Sequence, residues 1–144
     1  MYDIIIQGDI MEQLNRSELR KKIMTILYQV GVYKKNGIEY SLDSVIKEVV
    51  EIDNEFVKDT VYGVITYEND LVKTADEYLD GWTMDRLGFT DQDILKLGLY
   101  ELMYTETPDV VCINEAIELA KLYSDDSVRK MINGVMDKVY HNKK

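Results

Sequence analysis

A single proline, Pro108, interrupts the 144 residues of this chain, and only 8 glycines are spread among them. Proline removes a backbone donor and collides with the preceding helical turn, so long stretches here carry no residue that breaks a helix. Leu, Ile, Glu, Lys and Met fill those stretches with helix formers. A chain of this length is the usual size of one domain and buries roughly 70% of its unfolded surface on folding. The prediction is an all-α fold, and apolar spacing says where the helices lie.

From Arg16 onward, Leu19, Ile23, Ile26, Leu27 and Val30 fall on one helical face, which runs to about Tyr33 and stops at Lys34-Lys35-Asn36-Gly37. Residues 1–14 lack sustained periodicity and read as an N-terminal extension to a single domain spanning 15–144. Ser41 is a good N-cap for a second helix carrying Leu42, Val45, Ile46, Val49 and Val50. Asp53 or Asn54 caps the next stretch, whose stripe runs from Val57 to Leu79 as one helix or as two with a bend near Asn69, until Gly81 closes it.

Thr90-x-x-Asp93 has the form of a capping box ahead of Ile94, Leu95, Leu97, Leu99, Leu102 and Met103. That helix is apolar over more than half its circumference, which predicts a central position, and Thr107-Pro108 ends it. Ile113, Ala116, Ile117 and Ala120 mark another helix. After Ser124-Asp125-Asp126, Val128, Met131, Ile132, Val135, Met136 and Val139 mark the last. Ala116, Ala120, Gly98 and Gly134 predict close approach of neighbouring helices. The reading is a bundle of six to seven helices.

Little here points to catalysis. The one histidine, His141, sits in a polar tail, and no phosphate loop, nucleophile elbow or zinc-ligand spacing is present. Glu115 and Glu118, one turn apart, read as solvated surface. No enzyme, cofactor or metal is expected. The lone Cys112 has no disulfide partner, and the longest apolar runs, such as Ile4 to Ile6, are short. The expected compartment is the cytoplasm, with no membrane association.

A formal charge of −10 argues against coating nucleic acid by bulk attraction and suits a basic protein partner. Any RNA contact must therefore be local. Arg16, Arg20, Lys21 and Lys22 gather in the first turns of helix one, with Arg16 and Arg20 on a shared edge, and Arg129-Lys130 opens the last helix. Spacing alone leaves these as solvated charge or as small cationic spots. The 11 tyrosines are spread along the chain. Tyr28 and Tyr123 read as core or rim, and Trp82 as a cover for the seam between two helical layers.

The segment Ile113-Asn114-Glu115-Ala116-Ile117-Glu118-Leu119-Ala120-Lys121, followed by Asn133-Gly134-Val135-Met136-Asp137-Lys138-Val139, closely resembles the signature of the NusB family. Trp82-x-x-Asp85-Arg86-Leu87, the Ile94 to Leu102 helix, Pro108 and Leu27-Tyr28 agree in order, so the resemblance covers about Arg16 to Val139. It implies two small helical subdomains and a transcription antitermination factor that pairs with the small-subunit ribosomal protein also called NusE. The pair would recognise boxA-type RNA within the RNA polymerase antitermination complex on ribosomal RNA operons.

The resemblance also implies site residues. RNA contacts would fall to Arg16, Arg20 and Lys21, and to Arg129, Lys130, Met131 and Asn133; acidic contacts for the ribosomal protein would fall to Asp85 and Asp91. Many relatives carry more arginines at the start and a phenylalanine at the position of Met131, which implies weaker RNA contact here. Docking of a basic partner would extend the cationic spots into one phosphate-binding surface. Two other readings stay open: the RNA-binding module of a ribosomal-RNA cytosine methyltransferase, for which this chain has no cofactor-binding domain, and a structural helical protein that forms a homodimer.

Overall fold

Helix α1 spans Tyr2–Lys35 and opens a computed structural model that describes the backbone of residues 2–143 and the side chains of 15–143. The helix starts well ahead of Arg16. The sequence from residue 2 to 14 lacks an apolar stripe but also lacks proline, so helix propensity extends the backbone where periodicity is silent. It ends at Gly37, whose φ of +65° is a conformation that side chains with a Cβ avoid.

The chain divides into two compact units, residues 1–59 and 60–144. In the first, α1 packs on α2 (Leu42–Val49). The Ser41 hydroxyl accepts from the Ser44 amide at 3.3 Å, which satisfies one of the orphan donors at the start of α2. Helix α3 (Glu55–Thr66) begins in this unit, and Asn54 rather than Asp53 caps it, its Oδ1 accepting from the Val57 amide at 3.0 Å. Ile23, Met24, Ile26, Leu27, Val30, Val45 and Val57 are buried.

The second unit holds the rest of α3, then α4 (Glu68–Tyr78), a 3-10 turn at Met84–Arg86, α5 (Phe89–Tyr104), α6 (Asp109–Tyr123) and α7 (Asp126–Asn142). The stripe from Val57 to Leu79 is thus two helices, and they part at Tyr67, close to Asn69. Helix α5 is central, in contact with α4, α6 and α7. Ile94, Leu95, Leu97, Leu99 and Leu102 are almost completely buried. At ~1.5–3 kcal/mol per buried side chain, this one helix contributes on the order of 10 kcal/mol, comparable with the whole stability of a small domain.

Two sequence expectations need correction. Gly88 is the N-cap of α5, so Thr90 lies inside the first turn and Asp93 is a buried side chain instead of the far end of a capping box. Gly98 does mark close packing: a Cβ there would lie 3.1 Å from Met136 and 3.2 Å from the Ala116 Cβ. Gly134 does not, since a Cβ would meet nothing within 4 Å. Near the end of the chain, the Lys143 ammonium donates to the Leu102 carbonyl at 2.5 Å and to Asp109 Oδ1 at 2.8 Å, which ties α7 to the joint between α5 and α6.

Candidate nucleic-acid and partner interface

Residues four apart on a helix share a face, and Arg16 and Arg20 do so on α1. The face they share is turned onto Phe56 at the start of α3. The two guanidinium carbons lie 4.7 and 5.2 Å from the Phe56 ring centre, within the range of a cation–π contact. Arg16 stays partly exposed, but Arg20 is 0% exposed. The expected cationic edge is therefore split between one accessible arginine and one buried beneath it. Phe56, one of two phenylalanines in the chain, organises this corner. Spacing along α1 held no sign of it.

Lys21 and Lys22 follow, the first partly exposed and the second exposed. The Lys21 ammonium sits 3.0 Å from Glu18. An exposed pair of this kind is worth at most ~1 kcal/mol, so an incoming phosphate can compete for the lysine.

The start of α7 is built by Asp125. Its Oδ1 accepts from the Val128 amide and the Ser127 hydroxyl, both at 2.9 Å, and the Val128 bond chiefly holds this carboxyl below the usual carboxylate range. Arg129 pairs with Asp126 at 3.1 Å. At 100° per residue, Arg129, Lys130 and Asn133 fall within an arc of about 100°. Lys130 and Asn133 are exposed, and Arg129 and Met131 partly so. The helix thus brings three polar candidates together and places Met131 about 100° beyond Lys130, outside their arc.

Of the acidic candidates, Asp85 is exposed in the 3-10 turn and accepts from the Thr83 hydroxyl. Trp82 beside it is 43% exposed, with the Arg86 guanidinium 5.0 Å over its ring. Asp91, in the first turn of α5, is only partly exposed and accepts from the Ser124 hydroxyl. Ser124 immediately precedes the Asp125 cap. Among the described residues no group of three or more His, Cys, Asp or Glu side chains is placed to hold a metal ion, and no helix is long and apolar enough to cross a membrane.

The profile of the NusB family matches residues 17–141. The chain belongs to the NusB family. Transcription antitermination protein NusB of Pediococcus pentosaceus is 40% identical over 129 residues, covering 88% of this chain and 97% of that protein. Its counterpart in Macrococcus caseolyticus is 36% identical over 132 residues, covering 90% and 99%. Among solved structures, T. maritima NusB superposes with a TM-score of 0.75 at 26% identity, covering 88% of this chain and 90% of that one. A crystal structure of antitermination factors NusB and NusE in complex with dsRNA superposes with a TM-score of 0.71 at 26% identity, covering 88% and 96%. The NusB match starts one residue after Arg16 and takes in the remaining candidate positions.

Proposed function

We propose that this chain is a cytoplasmic, non-catalytic antitermination factor. It pairs with the ribosomal protein also called NusE, binds boxA-type RNA and supports processive transcription of ribosomal RNA operons by RNA polymerase. The observation that carries this reading is full-length similarity to proteins named for transcription antitermination, with 97% and 99% of two such relatives covered.

The residue roles follow from accessibility. Arg16 and Lys21 on α1, with Arg129, Lys130 and Asn133 on α7, are the side chains able to reach phosphate or base edges, and Met131 offers an apolar contact. Arg20 acts through position: buried on Phe56, it supports the face from which Arg16 projects. Asp85 receives a cation of the basic partner, and Asp91 does so through its second oxygen while Oδ1 accepts from Ser124.

Charge sets the order of events. With a net −10, the chain alone holds a polyanion weakly, because each phosphate contact draws on few available cations. A bound basic partner supplies the missing positive charge, so RNA and partner bind cooperatively. Titrating boxA-like RNA at fixed salt into the chain alone and into the heterodimer tests this. Tighter binding by the heterodimer is expected, and equal affinities would overturn the reading.

A further inference from the structure

Tyr67 meets Tyr100 and Tyr104, more than thirty residues further along the chain, on the surface of the second unit. The rings of Tyr67, at the junction of α3 and α4, and Tyr104, in the last turn of α5, stack 4.1 Å apart with 11° between their planes. Tyr100, one turn before Tyr104, flanks them at 6.3 and 5.9 Å. Gly63 makes room for this arrangement, since a Cβ there would come within 2.1 Å of the Tyr100 ring. Tyr67 and Tyr104 nevertheless remain 39% and 38% exposed. Rings of this size are rich sources of burial energy, and a stack held in place yet left open presents ready contact area.

Its surroundings are acidic. Burial and then the charge of the nearby exposed Asp70 carboxylate push the Tyr104 hydroxyl above its ordinary pKa. Glu68 follows Tyr67 in sequence, and Glu106 lies two residues past Tyr104. Lys96, the cation of α5, is turned to Glu68 at 3.7 Å.

We propose that this tyrosine stack is a docking surface for an arginine-bearing segment of a basic protein. Aromatic faces carry negative quadrupole charge and attract a guanidinium, which also stacks flat on them. Asp70 adds a formal charge at the rim, and the net −10 adds a long-range field of the same sign. A nucleic-acid strand meets the opposite situation, because its phosphates would face Asp70. Tyr100 is nine residues from Asp91, about 180° around α5, so this surface is separate from the one assigned to the ribosomal partner.

The test is a chemical-shift titration of the full chain with a capped peptide carrying two arginines, and with its citrulline counterpart, which keeps the shape and loses the charge. Shifts centred on Tyr67, Asp70, Tyr100 and Tyr104 are expected, with the citrulline peptide about tenfold weaker and Tyr104→Ala or Asp70→Asn each about two- to fivefold weaker. Tyr104→Phe with Asp70→Asn keeps the ring stack while removing the charge, and so gives the same readout if Tyr104→Ala unfolds. Equal binding of the two peptides, unchanged binding by these variants, or stronger shifts at the rings from a single-stranded RNA oligonucleotide would overturn the proposal. Affinity of Tyr104→Ala for the ribosomal partner and boxA-like RNA should match wild type, which separates this surface from the antitermination reading.

Discussion

Replacing Asp93 by Asn probes how one buried carboxyl shapes the stability of the second unit. The side chain is 7% exposed on α5, and its Oδ2 has no hydrogen-bond partner among the described residues. Removal from water raises its pKa from the usual 3.8 to about 7, with Lys96 opposing the rise and Glu68 adding to it. The unfolded chain keeps the ordinary value. Between about pH 4 and 7 the native state therefore holds a proton that the unfolded state has released, so stability falls with rising pH. The contribution is whole below the unfolded pKa and is lost as pH climbs through the folded one.

A rise of ~3 units corresponds to about 4 kcal/mol in total, of which roughly 2–3 kcal/mol falls between pH 5 and 8. Asparagine keeps the shape and cannot titrate. Urea denaturation of wild type and Asp93→Asn at both pH values is the assay, and the difference between the proteins at each pH cancels every other titrating group. Wild type should lose roughly 2–3 kcal/mol more than the variant on going from pH 5 to 8. Parallel stability profiles for the two proteins would refute the reasoning.

Helical glycines offer an opposed pair. Gly134→Ala should raise stability by ~0.5–1 kcal/mol, because the new methyl meets open space and the backbone loses freedom in the unfolded chain. Gly98→Ala should lower it by about 1–3 kcal/mol through crowding of Met136 and Ala116, and denaturation midpoints report both signs. Arg20→Ala should cost at least ~2 kcal/mol of stability through lost packing on Phe56, whereas Arg16→Ala should leave the melting temperature nearly unchanged and lower the salt slope of RNA binding by about one. Asn54→Ala should cost ~1 kcal/mol by removing the cap of α3, measured by thermal denaturation.

What could be read from spacing depended on whether one helix held all the information. The stripes of α2 and α7 and the stop at Gly37 are local, and helix assignment from them needs no neighbour. The start of α5 misled because Thr90 and Asp93 stand at capping-box spacing, while the actual cap, Gly88, has no side chain to announce itself. Gly98 and Gly134 look alike in sequence; only the presence of Met136 on α7 and Ala116 on α6 beside the first tells them apart. Arg16 and Arg20 were recognisable as sharing a face, but whether that face meets solvent depends on Phe56, some forty positions away. The stack of Tyr67, Tyr100 and Tyr104 was hidden for the same reason, as three aromatics among many until α3, α4 and α5 bring them together.

The bond between Ser124 and Asp91 joins two places usually considered one at a time. Asp91 lies in the first turn of α5, while Ser124 closes α6 and immediately precedes the N-cap of α7. The hydroxyl uses only Oδ1, so the second carboxylate oxygen can take a cation while the corner ahead of α7 keeps its anchor. Replacing Asp91 or Ser124 removes the same bond, so a variant at either position is read for changes in the first turn of α5 and at the start of α7 together.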